Sequence, residues 1–111
     1  MFSNERPIYR QIRDRIVDRI LSSGDGALLP SVRALAAEAG VNPLTVAKAY
    51  HDLQESGLVT SKKGVGLFAS DGAARVLLNT ERQLFLTEEW PRVQARIEQL
   101  GFNAGDLVAP A

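Results

Sequence analysis

The chain of 111 residues lacks cysteine, carries no formal net charge and contains no long apolar run. Without cysteine it has no disulfide framework, no thiol nucleophile and no cysteine-ligated zinc site. No apolar segment approaches the roughly 20 residues that span a bilayer, and the polar first residues lack the apolar core of a signal peptide. We therefore expect a cytoplasmic protein without a membrane partner.

The sequence also lacks the residue patterns that mark most active sites. Gly64 and Gly66 have neither the third glycine nor the following helix of a dinucleotide-binding loop. Glu88 and Glu89 are adjacent carboxylates, but the favourable effect of negative charge at a helix N-terminus explains them. The only histidine, His51, has no second metal ligand nearby in the sequence. We expect no enzymatic activity, no catalytic residue, no cofactor and no metal.

Positive and negative side chains balance over the whole chain but not within its parts. Residues 1–70 contain nine basic and seven acidic side chains, and the excess of positive charge is offset by the remaining residues. Nucleic acids are bound through Lys and Arg, which neutralise phosphates. The asymmetry is small, but it places a candidate nucleic-acid surface in the N-terminal part of the chain.

Three helices are predicted in this N-terminal part. Apolar residues at intervals of four predict an amphipathic helix over residues 7–22. A second, short helix begins near Ser31, whose hydroxyl can cap the free amides, and ends at Gly40. Asn42 followed by Pro43 then signals the start of a third helix. Two helices joined by so few residues must cross steeply.

Strands and further helices are predicted after the third helix. Two strand-like runs, at 58–61 and 67–70, flank a basic, glycine-bearing segment that is typical of a hairpin tip. From Asp71 the chain is expected to be helical again, with Thr87 capping a further helix through Leu100 and a short helical turn as an option around residues 106–108. These helices carry more apolar surface than solvated helices need, so we expect another surface to cover it.

The order helix, helix, tight turn, helix, hairpin is that of a winged helix-turn-helix. The predicted fold class is therefore mainly α with a small β-hairpin. We expect a winged helix-turn-helix DNA-binding domain over residues 1–70 and a short C-terminal helical extension over residues 71–111. In such a domain the third helix fits the major groove, and glycines at the wing tip let the backbone approach the phosphates.

These residues resemble the GntR family of bacterial regulators. The resemblance lies in four ordered elements, which are Leu29-Pro30-Ser31-Val32-Arg33-x-Leu35-Ala36, Val41-Asn42-Pro43-x-Thr45-Val46-x-Lys48-Ala49-Tyr50-x-x-Leu53, Gly57-Leu58-Val59 and Gly64-x-Gly66-x-Phe68. The Val-Asn-Pro and Lys-Ala-Tyr elements are similar to the YtrA-like branch, which has a short C-terminal extension. The resemblance implies a cytoplasmic transcription regulator whose C-terminal helices form a dimerisation arm.

The resemblance and the expected geometry together select nine candidate DNA-binding residues. They are Ser31, Arg33, Asn42, Leu44, Thr45, Lys48, Lys62, Lys63 and Gly64. Arg33 is implied to contact DNA from the second helix, whereas the lysines follow from their expected positions. Asn42 and Thr45 are also explained by the open helix terminus that they satisfy, and exposed lysines are most often only solvated. Tyr50 is expected in the core rather than against a base.

The sequence departs from the family pattern in two places. Residues 22–29 are about two residues shorter than the usual approach to Pro30, so we expect the loop before Arg33 to sit differently. Leu44 and Ala47 are apolar where many relatives place polar side chains. Base reading is therefore expected to rely on thymine methyl groups and on DNA shape.

The expected partners are double-stranded DNA and a second copy of the chain. Candidate dimerisation residues are Val76, Leu77, Leu84, Phe85, Trp90, Val93 and Ile97. A symmetric dimer requires a symmetric site, so we expect an inverted-repeat operator and repression by promoter occlusion, with no effector assigned. The alternative is a winged-helix adaptor that binds another protein, because fold alone does not fix function.

Overall fold

Three helices and a β-hairpin form the first part of the structure. The computed structural model describes residues 7–108, so the outer limits of both predicted domains lie outside the described residues. The elements are α1 (Ile8–Ser23), α2 (Val32–Ala39), α3 (Pro43–Glu55), β1 (Val59–Lys62) and β2 (Gly66–Ala69). Each of the five agrees with its predicted counterpart to within one or two residues, and the winged helix-turn-helix fold is confirmed.

One side of each helix is buried in a common core. The side chains that α1 and α3 contribute are at most 2% exposed; they are Ile12, Ile16, Val17, Ile20, Val46, Ala49, Tyr50 and Leu53. Leu35 and Ala36 of α2 join them. Because each fully buried large apolar side chain contributes roughly 1.5–3 kcal/mol, this shared core fixes how the three helices pack.

Side-chain caps begin both helices of the helix-turn-helix. The Ser31 hydroxyl accepts a hydrogen bond from the Ala34 amide at 3.0 Å, and the Asn42 side-chain oxygen accepts one from the Leu44 amide at 2.8 Å. Between them Gly40 adopts the left-handed conformation, with φ 68° and ψ 37°, and ends α2. The predicted caps and the tight turn are therefore confirmed, and they account for the abrupt change of chain direction.

The wing contains a third chain segment that the sequence analysis missed. β1 and β2 pair antiparallel, with Lys62 opposite Gly66. On the other edge of β2, the Gly26 amide donates to the Ala69 carbonyl and the Leu29 amide donates to the Leu67 carbonyl, both at 2.8 Å. The loop that was expected to sit differently is thus fastened to the wing along its second half.

The same loop also supplies the N-terminal cap of the next helix, α4 (Ala73–Leu84). The two carboxylate oxygens of Asp25 accept hydrogen bonds from the amides of Gly72 and Ala74, at 2.8 and 3.0 Å. Hydrogen bonds from the Ala74 and Gly72 amides lower the pKa of the Asp25 carboxyl below its ordinary value of 3.8. Asp25 is therefore a helix cap supplied from 47 positions earlier in the chain.

Further helices follow α4 up to residue 108. After α4 come a π-helical turn (Phe85–Glu89), α5 (Trp90–Gln99) and α6 (Ala104–Val108). The chain divides into two compact units, Met1–Leu77 and Leu78–Ala111, and this boundary lies seven residues beyond the expected one. No helix among residues 7–108 is long and apolar enough to cross a membrane.

The difference in the boundary arises because the first turns of α4 belong to the N-terminal core. Ala73 and Leu77 are each 1% exposed and pack within that core. Leu77, which was expected at a dimer interface, is therefore corrected to a core residue. The helical spacing identified an apolar face on this segment but not which of its residues the chain buries itself.

Thr87 does not cap a helix, so that prediction is wrong. It lies within the π-helical turn, and its hydroxyl donates to the Gln83 carbonyl at 2.9 Å. The physical cause lies at Pro91, which has no amide hydrogen to donate and whose ring crowds the carbonyl four residues earlier. The backbone widens just before it, with the Trp90 amide donating to the Phe85 carbonyl, and the helical path continues without a break.

The Asp25 cap predicts a pH-dependent stability. Because the folded-state pKa is lowered, the cap stabilises the protein above the unfolded pKa and loses this effect as the pH falls through the folded value. Asp25→Asn should lower the free energy of unfolding at neutral pH, and its difference from wild type should shrink as the pH falls from about 5 to about 2. Urea titrations across this range measure the difference. A pH-independent difference, or one equal to that of the exposed Asp18→Asn control, would contradict the assignment.

Candidate nucleic-acid interface

The beginning of α2 presents Arg33 to solvent. Arg33 is the second residue of the helix and is exposed, whereas Leu35 and Ala36 on the opposite side are buried. The Ser31 cap orders this first turn by holding the Ala34 amide. A guanidinium group carried on an ordered turn has donors suited to a phosphate or to a guanine edge.

The packing of α3 divides its residues into an inner and an outer side. Its inner residues are buried against α1 and α2, so the opposite side of the helix faces solvent. Leu44 at its first turn is 76% exposed, Lys48 and His51 are exposed, and Thr45 is partly buried. The outer side therefore begins with an uncovered aliphatic side chain and continues to a cation.

Tyr50 connects α3 with the segment that leads into α2. Its ring is buried, as expected, and its hydroxyl donates to the Pro30 carbonyl at 2.6 Å. Burial raises the pKa of Tyr50 to about 12, so the hydroxyl remains a donor at neutral pH. Because Pro30 lies just before α2, this bond helps to set the position of Arg33 relative to α3.

Lys48 is held by a residue from α1. Its ammonium nitrogen lies 5.0 Å from the centroid of the Tyr9 ring, a distance typical of a cation–π contact. The Tyr9 hydroxyl donates to a carboxylate oxygen of Asp52, one turn after Lys48 on α3. This bond, together with partial burial, raises the pKa of Tyr9. Lys48 is predicted from the sequence but Tyr9 and Asp52 are not, because nothing in the local spacing links residue 9 to α3.

The wing presents two neighbouring lysines around a tight turn. The Val65 amide donates to the Lys62 carbonyl at 3.0 Å, and Gly64 has φ 78°, a conformation that favours glycine and is typical of a type II turn. The Lys62 ammonium lies 4.8 Å from the centroid of the Phe68 ring. Lys63 and Gly64 are exposed at the tip. Two of the three lysines of the chain therefore lie over aromatic rings.

The described residues offer no arrangement for metal binding. No group of three or more His, Asp or Glu side chains among residues 7–108 is placed to hold a metal ion. The imidazole of His51 lies 3.4 Å from the carboxylate of Glu55, and both side chains are about two-thirds exposed. This pair is a solvated contact along one helix face.

Comparison with known proteins agrees with this geometry. Residues 4–68, more than half of the chain, match the family described as bacterial regulatory proteins, gntR family. The protein belongs to the GntR family. The HTH-type transcriptional repressor YtrA of Bacillus subtilis is 38% identical over 76 residues, which are 65% of this chain and 57% of that repressor. The resemblance to the YtrA-like branch is thereby confirmed.

Solved structures extend this likeness. A GntR family transcriptional regulator from Listeria monocytogenes has 30% identity and a TM-score of 0.71, over 96% of this chain and 94% of that one. The structure of AraR(DBD) in complex with operator ORR3 has 30% identity and a TM-score of 0.54, over 58% of this chain and 80% of that one. The chain spans about three fifths of the length of the curated relatives it matches. These relatives are regulators, in agreement with the expectation that this GntR protein is not an enzyme.

The hydrogen bond of Tyr50 predicts a modest loss of stability on its removal. Tyr50→Phe keeps the buried ring but leaves the Pro30 carbonyl without this donor, and should lower the free energy of unfolding by about 0.5–1.5 kcal/mol. Chemical denaturation of the two proteins measures the difference. An unchanged free energy of unfolding would show that the bond contributes nothing to stability.

Proposed function

We propose that this GntR protein is a sequence-specific DNA-binding transcription regulator that represses promoters by occluding an inverted-repeat operator as a homodimer. The proposal rests on the outer side of α3, which the core leaves uncovered. This side lies in the same compact unit as Arg33 and the lysine-bearing wing. A helix presented in this way fits a major groove, and flanking cations bind the phosphates beside it.

The nine candidate residues have four roles under this proposal. Leu44 and Thr45 meet base edges from the first turn of α3. Arg33 binds a guanine edge or a phosphate. The three lysines, which are Lys48, Lys62 and Lys63, bind phosphates. Ser31 and Asn42 order the two helix starts, and Gly64 lets the wing backbone approach the sugar-phosphate chain.

The relationship to AraR supports a DNA partner rather than a protein partner. AraR(DBD) was solved in complex with an operator, and its likeness covers 58% of this chain. The GntR match covers residues 4–68, which include α2, α3 and the wing tip. An adaptor that binds another protein through apolar surface would not need Arg33 or the basic wing, so substitution of those residues separates the two functions.

A homodimer accounts for the apolar side chains of the C-terminal unit. None of the described residues 78–108 is buried, although several large apolar side chains lie there, among them Phe85 at 45% exposure and Val93 at 43%. The Phe85 and Trp90 rings stack with centroids 6.2 Å apart. The proposed contact with a second copy is made by Val76, Leu84, Phe85, Trp90, Val93 and Ile97. A two-fold dimer buries the same surface on both copies and presents two α3 helices to one duplex.

The DNA-binding proposal predicts a specific loss for Arg33→Ala. Genomic fragments selected by the purified protein at physiological salt should contain one imperfect inverted repeat. Arg33→Ala should weaken binding to that repeat by about 1–3 kcal/mol if the guanidinium meets a base, because a bidentate contact is lost. Fluorescence anisotropy titrations measure the affinity. Arg82→Ala, an exposed arginine of α4, is the matched control and should bind as wild type does.

The selection experiment also has outcomes that contradict the proposal. If no fragment is enriched, or if Arg33→Ala and Arg82→Ala bind alike, sequence-specific recognition through α2 and α3 is wrong. Binding of a protein partner that tolerates Arg33→Ala would instead support the adaptor.

The dimer proposal predicts that a charge on the C-terminal helices separates the copies. Val93→Asp places a carboxylate in the proposed apolar contact. Burying a charge in such a contact costs several kcal/mol. Sedimentation equilibrium should show wild type as a dimer and Val93→Asp as a monomer. Val65→Asp, which alters an exposed valine of the wing, is the control and should remain dimeric. A monomeric wild type, or a dimeric Val93→Asp, would contradict the assignment.

A further inference from the structure

Lys48 and Asp52 form a pair that α3 itself brings together. They are four residues apart on one helix, the spacing at which opposite charges become neighbours and attract each other. A lysine that pairs with its own helix neighbour is partly neutralised, and a phosphate must compete with that neighbour. Lys48 therefore requires an arrangement that leaves its charge available.

Tyr9 of α1 contacts both members of this pair. Its hydroxyl donates to the Asp52 carboxylate, and its ring lies beneath the Lys48 ammonium at 5.0 Å. The carboxylate thus has a neutral donor from another helix, and the ammonium rests on a ring face that attracts a cation without neutralising it. Lys48 remains exposed, whereas Tyr9 and Asp52 are partly buried.

We propose that Tyr9 is a positioning residue that keeps the Lys48 ammonium available to a DNA phosphate by occupying the Asp52 carboxylate. This inference rests on the proposed DNA-binding function and specifies how one of its contacts is prepared. Restraint by the ring also limits the side-chain freedom that Lys48 loses on binding, since a flexible lysine must otherwise be ordered when the phosphate arrives.

The wing shows one half of the same arrangement. Lys62 lies over the Phe68 ring at 4.8 Å, and phenylalanine has no hydroxyl with which to engage a carboxylate. No acidic residue lies within four positions of Lys62 in the sequence, so the wing has no counterpart of Asp52. The tyrosine hydroxyl is therefore present at Lys48, where Asp52 lies one helical turn away and would otherwise compete for the ammonium group.

The inference is tested with Tyr9→Phe, Asp52→Asn and the double variant. Tyr9→Phe keeps the ring but releases the carboxylate, which then pairs with Lys48. Anisotropy titrations with a short labelled duplex of mixed sequence, at several salt concentrations between about 50 and 200 mM, give affinity and salt slope. Thr87→Val is the control, because it removes a hydroxyl that donates to the Gln83 carbonyl, outside the proposed DNA-binding residues.

The expected result is a loss that depends on the Asp52 charge. Tyr9→Phe should weaken binding several-fold and reduce the magnitude of the salt slope by about one, since one phosphate contact is lost. In the Asp52→Asn background, Tyr9→Phe should change neither quantity, because no carboxylate remains to pair with Lys48. Thr87→Val should alter neither the affinity nor the slope.

Two results overturn the inference while leaving the proposed function in place. The first is that Tyr9→Phe binds DNA with the affinity and salt slope of the wild type. The second is that Tyr9→Phe weakens binding equally in the wild-type and Asp52→Asn backgrounds, which would indicate a packing defect. Absence of salt-dependent DNA binding by the wild type would overturn the proposed function and this inference with it.

Discussion

The burial of one side of α3 determines which of its side chains can meet a partner. Val46, Ala49, Tyr50 and Leu53 are almost completely removed from solvent, so α3 cannot rotate about its axis without exposing them. Its opposite side is consequently fixed toward solvent. The same burial places Tyr50 where it bonds the Pro30 carbonyl, so the packing of one helix also positions the start of another.

Around this helix, polar contacts between distant parts of the chain hold the exposed side chains in place. Tyr9 and Phe68 each lie under a lysine, Asp25 begins α4 from the preceding loop, and that loop is itself paired with β2. Two of the four cations proposed to meet DNA, Lys48 and Lys62, are thus supported by neighbouring aromatic rings. Such order before binding lowers the entropic cost of forming an interface.

Local signals were sufficient for much of the fold. The Asn42 cap, the Gly40 turn and the spacing of apolar residues in α1 each act within a few residues, and the structure agrees with them. The Asp25 cap and the Tyr9–Asp52 bond were not predictable, because their partners lie more than forty positions apart. Leu77 and Thr87 were misassigned for related reasons, since periodicity does not say which apolar residue the core takes or how a helix adapts to Pro91.

Under the proposed function, α2, α3 and the wing together form the DNA-binding surface. Amide and side-chain NMR shifts recorded during titration with a selected duplex would locate this surface. The largest changes should map to Ser31–Arg33, Asn42–Lys48 and Lys62–Gly64, with small changes on α5. Changes concentrated on α5 and α6, with the first turn of α3 unaffected, would contradict it.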